Sequence, residues 1–170
     1  VAPFEIFWTL RDVRRETTSM SLQEEVDLLR RIPVFAKIEP SRLKLLAFTS
    51  ERLTFGADEI LFNQGDPGDA AYIIIRGSAD VIVETTNGPL VVTTLKENDF
   101  VGEIAILCDV PRTATIKAKT ELEALCISKD LFFRLVREFP EMAVEIMRVL
   151  ASRLELTTSH LHGAASVTSE

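Results

Sequence analysis

Cysteine and histidine are scarce in this chain, two of each in 170 residues, and the scarcity removes whole classes of chemistry. Cys108 and Cys126 lack the spacing of a metal site and are too few for a disulfide framework. Both read as small buried hydrophobes, Cys108 being the one beside a candidate site, and the compartment reads as reducing and cytoplasmic. His160 and His162 have no acidic or Cys companion, so they read as surface residues and no metal is expected. Long apolar runs are missing too: none approaches the roughly 18 residues of a membrane span, and none is expected. The opening Pro3-Phe4-Glu5-Ile6-Phe7-Trp8-Thr9-Leu10 is short and carries an acid, which fits neither a span nor a secretory signal. Basic residues are in deficit, 19 Lys and Arg against 26 Asp and Glu, a net charge of −7. A duplex-binding domain needs a basic face, and Arg11, Arg14 and Arg15, flanked by Asp12 and Glu16, read as a solvated helix face. A small anion is still allowed, because one placed arginine outweighs distant screened charges.

What is present is 46% apolar sequence, enough for one domain with a core and extra helix. Residues 1–20 read as an N-terminal extension: Met20-Ser21-Leu22 looks like a natural start, and the alternative is an amphipathic segment docking on a partner or on the domain. Residues 21–50 form a helical segment. Ser21 caps a helix with Glu24 as reciprocal partner; Leu22, Val26, Leu28 and Leu29 make its stripe, and Pro33 stops it. Ser41 opens a second helix whose buried side is Leu43, Leu45, Leu46 and Phe48, the pair forming a lid-like bundle.

From Glu51 the period changes to that of strands. Seven short runs follow: Leu53–Phe55, Ile60–Phe62, Tyr72–Ile75, Ala79–Glu84, Leu90–Leu95, Thr113–Ala118 and Leu122–Ile127. Turn signals separate them, at Gly56-Ala57-Asp58, Gly65-Asp66-Pro67-Gly68-Asp69, Arg76-Gly77-Ser78 and Asn87-Gly88, the last a hairpin signature. Gly65–Asp69 lacks the ligand count of a calcium loop and reads as a turn. The fold class is therefore mainly β with flanking α helices, an antiparallel β jelly-roll over 51–128. Residues 129–163 are C-terminal helices, opened by Ser128 and interrupted by Pro140, and 164–170 a flexible tail. In the last helix Ala143, Met147, Leu150, Leu154, Thr157 and Leu161 fall on one seam. Met142, Ile146, Val149, Arg153, Leu156 and His160 fall on a second stripe beside it. Two stripes need two partners. One is the roll, and the other is the same helix of a second copy, a homodimer through 143–161.

One stretch, Phe100 to Thr115, carries the chemistry. Gly102 lets backbone approach a ligand without a Cβ. If Ile104–Leu107 forms a helical turn, its first amides face back toward Gly102 and Glu103 unpartnered, a place for an anion. Arg112, set by Pro111, adds a planar charge able to hold two phosphate oxygens. Glu103 would repel a phosphate, and makes sense if the ligand also offers hydroxyls, as a ribose does. The stretch reads as a sugar-phosphate cradle.

Gly102-Glu103-Ile104-Ala105 followed by Pro111-Arg112-Thr113-Ala114-Thr115 resembles the phosphate-binding cassette (100–115) of cyclic nucleotide-binding domains, and Gly65 and Gly77 match that family's turn glycines. Arg153-Leu154-Glu155-Leu156-Thr157-Thr158 is similar to the dimer helix of the catabolite activator type. The resemblance, spanning Phe35 to Gly163, implies a 3′,5′-cyclic nucleotide with its phosphate on Arg112 and the amides near Gly102 and Ala105. It places the ribose 2′-hydroxyl on Glu103. It implies that Thr157 bonds the purine of its own subunit's ligand and that Thr158 reaches the partner's ligand. Against this stands threonine bonding to its own helix carbonyls. Arg153, on the roll-facing stripe, is placed to pair with Glu103. Thr113 can bond a guanine, so cGMP stays beside cAMP, which the Thr157-Thr158 pair favours. Those transcription factors continue into a DNA-reading domain; this sequence ends at Glu170, so no direct DNA binding is expected. The expectation is a non-catalytic sensor acting on an unknown downstream protein, or a module of a larger one. The rivals are a cupin-like metal enzyme, which the histidine positions disfavour, and a nucleotide-free dimer adaptor.

Overall fold

Two four-stranded antiparallel sheets face one another, and a layer of helices covers the outside of one of them. The computed structural model describes residues 21–167, with side chains to Ser159; the N-terminal extension and the side chains of His160, Leu161 and His162 lie outside what is described. Helix α1, Leu22–Arg31, starts with the expected capping box. The Glu24 amide donates to Ser21 Oγ at 3.3 Å, and the Ser21 amide donates to Glu24 Oε2 at 2.7 Å. A short 3-10 turn at Pro33–Phe35 leads to α2, Pro40–Thr49. Proline supplies the first helical residue, where its missing N–H costs nothing, so α2 begins one residue before the expected Ser41. Its buried residues are Leu43 and Leu46; Leu45 is 52% and Phe48 84% exposed, contrary to expectation. At 100° per residue, 45 and 48 lie on the arc opposite 43, 46 and 47.

The strands are β1 Glu51–Phe55, β2 Ile60–Phe62, β3 Ala70–Arg76, β4 Ala79–Thr85, β5 Gly88–Leu95, β6 Phe100–Val101, β7 Thr115–Ala118 and β8 Leu122–Ser128. They order as β1-β8-β3-β6 and β2-β7-β4-β5, the expected jelly-roll with one strand more than the seven expected. The addition is β6, two residues long and paired through Tyr72↔Val101 and Ile73↔Phe100. Two residues carry no periodicity to detect. The β4–β5 hairpin forms, but Thr85 pairs with Gly88, so Thr86 and Asn87 make the turn.

Strands β3 and β8 are buried on both faces. Ala71, Ile73, Leu125 and Ile127 pack outward with α1, α2, Phe35, Phe132 and Met142. Tyr72, Ile74, Ala124 and Cys126 pack inward with Phe55, Leu61, Phe62 and Ile116 of the roll interior. Side chains alternate along a strand, so these near-continuous apolar runs serve two cores at once. Each fully buried large side chain contributes roughly 1.5–3 kcal/mol. Helices α1 and α2 thus back the sheet rather than form a lid.

Ser128 caps α4, Lys129–Glu138, its Oγ accepting from the Leu131 amide at 3.3 Å. Pro140 begins α5, Pro140–Val167, which runs past the expected end at 163, so 164–167 continue the helix. Met142 and Ile146 are buried, whereas Met147 is 59%, Leu154 68% and Leu156 60% exposed. Leu156, expected against the roll, is exposed because α5 has run past the core by that point. Cys126 is buried as expected and Cys108 is exposed; both are free thiols.

Candidate functional site: a buried arginine and glutamate at a helix turn

The turn Gly65–Asp69 grips Arg112 by its backbone. The Arg112 amide donates to the Asp66 carbonyl, and the Gly65 amide donates to the Arg112 carbonyl, both at 2.8 Å. Pro111 has φ set by its ring, so the approach to Arg112 is restrained from both sides. The side chain runs inward and is 3% exposed. Its guanidinium lies over the Phe62 ring at 4.1 Å and 5.9 Å from the Tyr72 centroid, a stacking that suits a weakly hydrated planar cation. Nη1 donates to the Gly102 carbonyl at 3.1 Å, Nη2 stands 3.8 Å from Asp69 Oδ1, and Nε has no hydrogen-bond partner. Burial pushes its pKa down, opposed by Tyr72 and Asp69; a guanidinium nonetheless stays charged.

Helix α3, Glu103–Cys108, opens on Gly102 at φ +90° and closes on Asp109 at φ +53°. A Cβ on Gly102 would stand 2.6 Å from Arg112 Nη1 and 3.0 Å from the Ala70 carbonyl oxygen, so glycine is required by conformation and by space. Gly68 is required by space alone, because a Cβ there would meet the Ala105 Cβ at 2.3 Å. That close approach seats the first turn of α3 on the 65–69 turn. Ala105 is buried, while Ile104 and Thr113 are exposed on the outside of the stretch.

Glu103 is 1% exposed. Its Oε1 accepts from Arg153 Nη1 of α5 at 2.7 Å, and its Oε2 is buried with no hydrogen-bond partner. Arg153 also donates through Nη2 to the Phe100 carbonyl. Burial raises the Glu103 pKa; Arg153, a backbone hydrogen bond of its own residue and Arg112 act against the rise. The site therefore holds a cation with spare donors and a carboxylate with a spare acceptor, the two signs expected for an anion that also bears hydroxyls.

Of the nine residues singled out in the sequence, Gly102, Glu103, Ala105, Arg112 and Arg153 converge. Thr157 and Thr158 are exposed, their hydroxyls donating to the Arg153 and Leu154 carbonyls at 2.9 Å each; Thr157 lies one turn beyond Arg153 on the same helix face. Phe62, Tyr72 and Asp69 were missed. They are 40 to 50 residues from Arg112 in sequence, and only the pairing of the sheets brings them beneath it. Among the described residues no group of three His, Cys, Asp or Glu could hold a metal ion, and no helix is long and apolar enough to cross a membrane.

Comparison with known proteins identifies the family of the domain. The family described as cyclic nucleotide-binding domain matches residues 52–139. The cAMP-dependent protein kinase regulatory subunit of Emericella nidulans is 34% identical over 108 residues, 64% of this chain and 26% of that protein. The CRP-like cAMP-activated global transcriptional regulator of Mycobacterium tuberculosis is 30% identical over 136 residues, 79% of this chain and 61% of that protein. In both cases the chain spans less than two thirds of the relative. The catabolite activator protein of Thermus thermophilus superposes with a TM-score of 0.69 at 24% identity, covering 78% of this chain and 63% of that one, a likeness of fold. The match takes in both sheets and the whole cradle, so the chain belongs to the cyclic nucleotide-binding domain family, a family of regulatory ligand-binding modules.

Proposed function

We propose that the site binds cAMP, with cGMP the second candidate, and that occupancy is transmitted through α5. The observation that carries this reading is the pair of orphaned buried atoms, Arg112 Nε and Glu103 Oε2. A buried polar atom without a partner costs free energy. A cyclic phosphate on Arg112 and the α3 amides would satisfy the first, and a ribose 2′-hydroxyl on Glu103 the second. Gly102, Ile104 and Ala105 supply the backbone of the cradle. Thr157 would leave its helix carbonyl to bond the purine, and Thr158 would reach the ligand of a partner subunit. Thr113, at the cradle's outer end, is the group that would favour a guanine.

Arg153 gives the transmission its route, because its pair with Glu103 ties α5 to the cradle. A ligand hydroxyl arriving at Glu103 changes what Arg153 gains there and so biases the position of α5. The exposed Met147 and Leu154 support a homodimer through 143–161 as the element that reads that bias. The whole acts in the cytoplasm as a non-catalytic sensor, alone or as the regulatory module of a longer protein.

Calorimetry with cAMP tests the core of this. Arg112→Ala is expected to weaken binding by on the order of a hundredfold, since it strips the phosphate of its charged donors. Unchanged affinity would defeat the assignment. Thermal shift with cAMP, cGMP and 5′-AMP ranks the ligands; no shift with any of them would leave the dimer-adaptor reading in its place.

A further inference from the structure

A groove separate from the cradle runs between α2 and α4. Its floor is Leu46, Leu131 and Leu135, its walls are Leu45 and Phe139, and Arg42, Arg134 and Glu138 stand along its edge. Leu45 is half exposed, and three residues on along the same face of α2 is Phe48, 84% exposed. Neither is used by the core, and contiguous exposed apolar surface beside a groove marks an interaction site.

The charges at the edge distinguish what fits. Arg42 is committed within the domain, 3.6 Å from Glu138 and over the Phe139 ring at 5.1 Å. Arg134 at the edge and Lys44, one turn before Phe48, have no ion-pair or hydrogen-bond partner among the described residues. In a chain of net charge −7, the groove is edged by two cations, Arg42 and Arg134, and one acid, Glu138, which Arg42 already pairs, so Arg134 is the cation left for a partner. A slot between two helices accepts a third helix by ridge-into-groove packing, and anchors at i, i+3 or i+4, and i+7 would fill it.

We propose that the groove between α2 and α4 docks an amphipathic helix of a partner protein whose apolar stripe is flanked by acidic residues. The reading does not depend on what the cradle binds.

The test uses the full chain and two designed helical peptides labelled with a fluorophore. They share a leucine stripe and differ only in Glu or Lys flanks, and binding is followed by fluorescence anisotropy. The acidic peptide is expected to bind about tenfold more tightly than the basic one, with the preference shrinking as salt rises. Arg134→Glu should cost the acidic peptide about tenfold, and Leu45→Glu should reduce it by on the order of a hundredfold, as expected for an apolar anchor. Both positions are solvent-exposed, and an unchanged melting temperature establishes that each variant is folded. Equal binding of the two peptides overturns the proposal, as does acidic-peptide binding that neither variant changes. Self-association abolished by Leu45→Glu would give the groove to a second copy, and preference for anionic vesicles would give it to a membrane; either result also overturns it.

Discussion

The two halves of α5 are held to the domain by different physics. The first half is anchored by burial: Met142 is 1% and Ile146 4% exposed, and Leu150 packs on the same core. The second half is held through Arg153, whose guanidinium pairs with Glu103 and bonds the Phe100 carbonyl, while Leu154, Leu156, Thr157 and Thr158 face solvent. Apolar burial is non-directional and insensitive to a ligand, whereas an ion pair on a buried carboxylate changes with anything that bonds that carboxylate. One half of the helix is therefore held by apolar burial, and the other by an ion pair and a hydrogen bond at the edge of the cradle.

The contrast can be broken at either end. The largest expected effect on folding is at the anchored half: Ile146→Ala should lower stability by about 2–5 kcal/mol, from lost transfer energy and the cavity left behind, read as a fall in denaturant midpoint. If it costs no more than a surface substitution, burial is not what holds this half. Arg153→Met is next. It leaves Glu103 buried without its cation and should cost about 1–3 kcal/mol in urea unfolding, discounted toward the lower figure because the Arg153 side chain is 35% exposed.

The same pair gives a pH signature. Burial holds the folded Glu103 pKa above its ordinary 4.5, so in the folded state the group keeps its proton to higher pH. The stability linked to that proton is fully present below 4.5 and is lost as pH rises through the folded value. Glu103→Gln removes this dependence, so the variant should gain on the wild type as pH climbs from 4.5 toward neutrality. A difference that stays flat across that window would contradict the burial argument. The smallest effect on folding is at the free half: Leu154→Ala should change monomer stability by less than about 0.5 kcal/mol. Sedimentation should nevertheless show weaker self-association, and an unchanged dimer would remove the 143–161 seam from the proposal.

Much of the cradle was legible because it is contiguous. Gly102, Glu103, Arg112 and the proline before it lie within one stretch, and each has a local physical reason for its type. The capping box at Ser21 and Glu24 was legible for the same cause, since both halves of the device sit three residues apart. The hairpin was readable to within one residue, its turn shifted to Thr86-Asn87 because pairing with β4, not the dipeptide, sets the register. Helix α2 shows where local pattern stops. Four apolar residues pointed to a buried side, but a helix has one face against its core, and the choice of 43 and 46 over 45 and 48 was made by α1 and the core they share.

The amino-acid sequence by itself determined the alternation of strand and turn, the helix starts and the cradle, because these depend on neighbours within about a dozen residues. Only the tertiary structure decided that Phe62 and Tyr72 lie under Arg112, that Gly68 admits Ala105 and which apolar side chains remain in water. Those are outcomes of how sheets and helices close on one another, and no short window of sequence contains them.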